Sequence, residues 1–181
     1  MSYIQNFKQK FPDKVTPEMV QVYHGGNSKI DEFTFDSEAL RENKDDLSGI
    51  LFLTDENEAR KKGPYVTKAM LKLNRIVSSL GPPSRSDIVY MLSNVPNKDE
   101  ILKKFDEDPR EAYFKATDHI LKGGAAHKCY TILAQEFYKD HAKEFAENMV
   151  HIRYDAVTTS QGDEILSYIV LNPKCINIIK K

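Results

Sequence analysis

The chain has 181 residues, of which 40% are hydrophobic, a size and composition that suit one domain with a real core. Its 26 Lys and Arg against 27 Asp and Glu leave a formal charge of −1, which excludes a global basic field for nucleic acid or anionic lipid. No apolar run is long enough to cross a bilayer, the N-terminus lacks a secretion signal, and Cys129 and Cys175 have no paired metal-ligand spacing. We therefore expect a soluble, cytoplasmic protein with reduced thiols and no metal site.

The first segments of the chain are short, and one of them ends at a histidine. Apolar residues at helical spacing over 3–11 predict a short amphipathic helix that ends at Pro12. Residues 20–23 predict a strand that stops at His24-Gly25-Gly26. A histidine beside glycines can hydrogen-bond a ligand that approaches the open backbone, although the same residues also suit a simple turn. His24 is therefore a candidate binding residue.

A second strand, a helix and a third strand follow. Residues 49–54 predict a compact strand, and the acidic pair Asp55-Glu56 predicts a helix start that either Thr54 or Asp55 could cap. Gly63-Pro64 ends this helix, and the alternation over 65–73 predicts a half-buried strand. The order is thus strand, helix, strand.

The strongest break in the chain is Gly81-Pro82-Pro83, after which the pattern becomes helical. We expect a mainly helical insertion over 84–149 within a single α+β domain that spans 1–181. Its predicted helices cover 98–105, 110–122 and 126–145, and the predicted strands that follow cover 152–157, 167–171 and 175–179.

Three blocks together resemble the ADP-ribosyltransferase superfamily, in particular its small phage and bacterial members of the histidine-tyrosine-glutamate type. The first block is 22–26, around His24, and the second is 49–60, followed by the strand at 65–73. The third joins Tyr154-Asp155-Ala156-Val157 to the segment 167–176. The resemblance covers both halves of the chain but leaves 84–149 largely unexplained.

This resemblance implies a split β core with a clamp-like cleft that binds NAD as a substrate and needs no metal. It implies that His24 binds the nicotinamide ribose and that Gly25, Thr54 and Tyr65 form the cleft with it. Tyr65 would stack on nicotinamide, whereas the plainer interpretation is a Tyr that fills a strand face beneath a helix. The implied reaction transfers ADP-ribose to a macromolecular acceptor, a protein or a nucleic acid, which the helical insertion would help to select.

The sequence departs from the family pattern at three places. Leu51 and the pair Lys61-Lys62 stand where the family has tyrosines, and Ser167 stands where active relatives have a carboxylate. Glu164, three residues earlier, is the best candidate for the catalytic carboxylate, although 161–164 also suits a solvated acidic turn.

Three readings of the sequence therefore stay open. The preferred one is an NAD-dependent mono-ADP-ribosyltransferase. The second is a catalytically inactive module of the same architecture that binds a nucleotide, a protein or a nucleic acid. The third is an unrelated α+β core that resembles the family by chance.

Overall fold

The computed structural model describes residues 18–40, 47–77, 81–161 and 164–180, so the helix predicted over 3–11 lies outside the described residues. The strands are β1 (Glu18–Gly26), β2 (Ile50–Leu53), β3 (Tyr65–Leu73), β4 (Ile76–Val77), β5 (Ala156–Gln161), β6 (Glu164–Val170) and β7 (Ile176–Ile178). The α-helices are α1 (Glu56–Arg60), α2 (Arg85–Ser93), α3 (Lys98–Leu102), α4 (Pro109–Leu121), α5 (Ala126–Ile132) and α6 (Ala142–His151). The chain is therefore a mixed α+β protein, as its sequence predicts.

The seven strands of the described residues form one sheet in the order β4-β5-β6-β2-β1-β3-β7, and among them only the β4–β5 pair is parallel. β1 pairs with β3 along its whole length, whereas β1 and β2 share the single register pair Tyr23–Leu53. β2 instead pairs with β6 at each of its residues. The sheet is consequently joined at one point between β1 and β2, and the two strands part beyond it.

The sheet has a hydrophobic cluster on each face, and β6 contributes to both. Ile169 belongs to the larger cluster, which the helices complete, while its neighbours Tyr168 and Val170 belong to the other. Side chains alternate between the faces of a strand, so adjacent residues of β6 enter different clusters. Phe33 and Leu40, from the segment after β1, belong to the second cluster.

Every described element between residues 85 and 151 is helical, but the helices differ from those predicted. The helix expected over 126–145 is divided into α5, a π-helical turn at Leu133–Tyr138, and α6. The chain turns at Lys139, whose φ of 38° and ψ of −107° lie outside the helical region. None of the described helices is long and apolar enough to span a membrane.

The sequence prediction was also wrong at the two ends of the helical segment. It missed α2 after the Gly-Pro-Pro break, where Ser84 caps the helix by accepting a hydrogen bond from the backbone N–H of Asp87. It placed a strand over 152–157, whereas α6 continues to His151 and β5 begins only at Ala156. Arg153, with a φ of 72°, makes the turn that separates helix from strand.

Candidate functional site

His24 lies near the end of β1, on the side where β1 and β2 part. The residue is only 4% exposed, and its ring makes an edge contact with Phe33 and a tilted contact with Phe52 at centroid distances of 5.3 and 5.7 Å. Nδ1 lies 2.9 Å from the carbonyl oxygen of Leu51. Because a carbonyl only accepts hydrogen bonds, Nδ1 is the donor, and in the neutral form of the ring Nε2 is then an acceptor.

The Nε2 atom of His24 is buried and has no hydrogen-bond partner among the described residues. A buried acceptor without a partner costs stability, so native proteins rarely leave one unless it has a role. The bond from Nδ1 to β2 fixes both the tautomer and the ring orientation. Nε2 is therefore a hydrogen-bond acceptor that is held in a fixed position where β1 and β2 part.

The two glycines after His24 have different roles. A Cβ at Gly25 would lie 1.8 Å from the carbonyl oxygen of Ala59, so Gly25 allows the backbone of α1 to approach β1 closely. A Cβ at Gly26 would lie 3.2 Å from Nε2 of His24. Gly26 therefore keeps the space beside that acceptor open, whereas Gly25 mainly accommodates the helix.

A cavity of about 350 Å³ lies where β1 and β2 part. Its lining residues are His24, Gly25, Asn27, Ala39, Leu51, Leu53 and Lys62. This volume is at the lower end of the range for small-molecule sites, and the exposed surface of the lining is somewhat more polar than apolar. Among the residues that the structure describes, the lining provides one imidazole acceptor, one amide and one ammonium group, and no carboxylate.

Thr54 and Tyr65, expected to form the cleft with His24, do not line this cavity. The Thr54 hydroxyl donates to the carbonyl oxygen of Ile165 at 3.3 Å or of Leu166 at 3.2 Å, and so ties the end of β2 to β6. Asp55 rather than Thr54 caps α1. Tyr65 begins β3 opposite Gly26 and is 50% exposed, so it does not fill a buried face beneath a helix either.

Glu164 is the first residue of β6, and the strand begins three residues before the predicted Ser167. Thr159 pairs with Ser167, Ser160 with Ile165 and position 161 with Glu164. β6 thus carries one extra residue, Leu166, between Ser167, which pairs with Thr159, and Ile165, which pairs with Ser160. This arrangement is a β-bulge, a feature that re-aims side chains and is common beside active sites.

The bulge decides which face of the sheet Glu164 occupies. Positions 159 and 161 of β5 lie on one face, and cross-strand partners share a face, so Glu164 lies on the same face as Ser167. Ser167 pairs with Leu53, which lines the cavity. Glu164 is displaced from Ser167 by two β5 residues, roughly 7 Å along the sheet. It is exposed and does not itself line the cavity.

Ser167 occupies the position nearest to Leu53 on β6, and its hydroxyl is already engaged. It hydrogen-bonds the hydroxyl of Thr159 and is only 5% exposed. The carboxylate that the family resemblance expects at this position is therefore replaced by a buried, satisfied hydroxyl. In the part of the chain that the structure describes, no group of three His, Cys, Asp or Glu residues is arranged to hold a metal ion.

The three consecutive cations at the C-terminal end of α1 differ in whether they form an ion pair. Arg60 pairs with Glu56, and Lys61 pairs with Glu58, a hydrogen bond that raises the pKa of the Lys61 amine. Lys62 has no ion pair with any described residue, and it is the cation that lines the cavity. The sequence showed the pair Lys61-Lys62 but could not tell the two side chains apart.

Comparison with known proteins assigns no family. No protein-family model matches the chain, and no curated protein matches it. One solved structure that matches bears the description "Crystal structure of an anti-CRISPR protein". It is 11% identical, with a TM-score of 0.45 over 93% of this chain and 100% of that one. This likeness is too low to bear on the fold or the function of the present chain.

Proposed function

We propose that this chain binds a ribose-containing nucleotide of the NAD type in the cavity between β1 and β2. The observation that carries the proposal is the Nε2 atom of His24, a buried acceptor without a partner among the described residues, beside a cavity of about 350 Å³. A ribose hydroxyl is a donor of the right kind for this atom. The resemblance of 22–26 to the ribose-binding strand of ADP-ribosyltransferases points to the same ligand.

Binding would follow from the way the site is prepared before the ligand arrives. The Nδ1 bond to Leu51 and the ring contacts with Phe33 and Phe52 already hold His24 in place. Little conformational entropy is then lost when a hydroxyl donates to Nε2, and the desolvation cost of that atom is relieved. Leu51 and Leu53 offer apolar walls to the sugar or base. The expected partners are accordingly NAD or a related nucleotide.

ADP-ribosyl transfer to a macromolecular acceptor is a second candidate function, and the bulge in β6 is the observation that favours it. In this reaction the bond between ribose C1′ and the nicotinamide nitrogen breaks, and its electron pair leaves with nicotinamide. An acceptor nucleophile of a protein or nucleic acid then bonds to C1′ and loses its proton. The family resemblance gives Glu164 the role of stabilising the positive charge that develops on the ribose. Glu164 shares a face with Ser167 and Leu53, opposite the face that carries the His24 ring.

Two measurements test these functions in order. Titration calorimetry with NAD tests binding, and a wild type that shows no heat of binding at millimolar NAD would refute the proposal. Incubation with labelled NAD and a bacterial lysate tests transfer. We expect Glu164→Gln to keep NAD binding and, if transfer occurs, to lower it by orders of magnitude, while the exposed control Glu107→Gln changes neither. Transfer that survives Glu164→Gln would remove Glu164 from the reaction.

A further inference from the structure

We infer that Lys62 makes the cavity selective for a ribose ligand that carries a phosphate, and that it holds the phosphate beside the ribose bound at His24. The inference rests on the proposed nucleotide binding and names the ligand group that this site prefers. Three consecutive cations at the end of α1 differ in their ion pairing. Arg60 and Lys61 are paired with glutamates of the same helix, and Lys62 is not.

Lys62 lies against the residue that follows His24 in the chain. A Cβ at Gly25 would lie 3.1 Å from Cβ of Lys62, so the lysine stem lies directly against the residue that follows His24. Both residues line the same cavity. A ligand whose ribose hydroxyl donates to Nε2 of His24 can therefore place a neighbouring group against the Lys62 ammonium.

The charges of the residues that line the cavity determine which group of the ligand lies against the Lys62 ammonium. Among the described residues, the cavity lining includes one cation and no carboxylate, so these residues favour an anion there and repel a second cation. A phosphate accepts charge-assisted hydrogen bonds from an ammonium, and these are stronger than hydrogen bonds between neutral groups. Lys62 also stands in the segment where the family resemblance expects an aromatic residue to stack on nicotinamide.

NAD offers two groups of opposite sign to such a site. Its diphosphate is attracted by Lys62, whereas its nicotinamide ring carries a positive charge and is repelled. We therefore expect the diphosphate, and not the pyridinium ring, to lie beside Lys62. ADP-ribose, which has the diphosphate but not the cationic ring, should bind at least as tightly as NAD.

The test compares adenosine with AMP, two ligands that differ only in the phosphate. Calorimetry on the wild type should give AMP at least tenfold tighter binding than adenosine, with the difference shrinking as salt rises. Lys62→Gln should remove this preference, while Lys62→Arg should keep it. Lys61→Gln is the matched control, because Lys61 is paired with Glu58 and lies outside the cavity lining.

The outcomes separate this inference from the function on which it rests. If adenosine and AMP bind equally well and both depend on His24, the nucleotide site stands and the role of Lys62 is refuted. A preference for AMP that survives Lys62→Gln, or that Lys61→Gln also abolishes, refutes it equally. NAD binding more than tenfold tighter than ADP-ribose would show that the cavity accepts the cationic ring. No binding of any of these ligands would overturn both proposals.

Discussion

Replacing His24 by Phe should separate ligand binding from stability. Phe keeps a ring between Phe33 and Phe52 but removes both nitrogens. Loss of the Nδ1 bond leaves the Leu51 carbonyl without that donor, which costs about 1–3 kcal/mol. Removal of the buried, unpartnered Nε2 relieves a penalty of similar size. The two terms nearly cancel, so the free energy of unfolding should change by less than about 1.5 kcal/mol.

Binding should respond quite differently, because the ligand hydroxyl would lose its acceptor. A lost hydrogen bond that leaves a partner unpaired costs about 1–3 kcal/mol, roughly a 5- to 150-fold increase in Kd for NAD or AMP. His24→Ala, by contrast, should also destabilise the fold by about 2–5 kcal/mol, since it leaves a cavity between the aromatic rings. Urea unfolding measures stability, and calorimetry measures binding. A stable His24→Phe variant with wild-type affinity would refute the assignment of Nε2.

Three further predictions concern the scaffold around the site. Gly25→Ala should destabilise the protein by about 1–3 kcal/mol in urea unfolding, because its Cβ would meet the Ala59 carbonyl, whereas Gly81→Ala, which meets nothing within 4 Å, should be neutral or slightly stabilising. Asp155→Asn should cost about 1.5–3 kcal/mol, since the carboxylate accepts bonds from two backbone N–H groups and one side-chain amide; an unchanged unfolding midpoint would contradict this. Burial raises the pKa of the Cys175 thiol to about 12, so an exposed-thiol reagent at pH 8 should label Cys175 only after unfolding, and rapid labelling of the folded protein would show that the thiol is accessible.

The strands around His24 were predictable because their signals are local. Residues 20–23, 49–54 and 65–73 combine β-branched and aromatic residues with glycine or proline at their ends, and each coincides with an observed strand. The prediction of one helix over 126–145 was wrong because apolar periodicity continues through the π-helical turn. A backbone turn such as that at Lys139 leaves no mark on such a pattern.

The composition of the site was predictable only in part. His24 and Gly25 do line the cavity, because the local strand signal places His24 at a strand end and glycines without side chains leave space beside it. Thr54 does not line the cavity, because its hydroxyl bonds to β6, a strand more than a hundred residues away in the sequence. The bulge that sets the face of Glu164 lies in the local β5–β6 hairpin, but its position depends on strand register, which periodicity does not report. The ion pairs of Arg60 and Lys61 are local to α1, and they depend on side-chain geometry.

The most direct test of nucleotide binding observes the two ring nitrogens of His24 themselves. Nitrogen-15 NMR of the histidine-labelled protein distinguishes protonated from unprotonated ring nitrogens, and His24→Phe identifies the signals of this residue. We predict a protonated Nδ1 and an unprotonated Nε2 in the free protein, because Nδ1 donates to the Leu51 carbonyl. Addition of AMP or NAD should move the Nε2 resonance and leave that of Nδ1 nearly unchanged. A proton on Nε2 in the free protein, or an Nε2 resonance that stays fixed at millimolar nucleotide, would contradict the account.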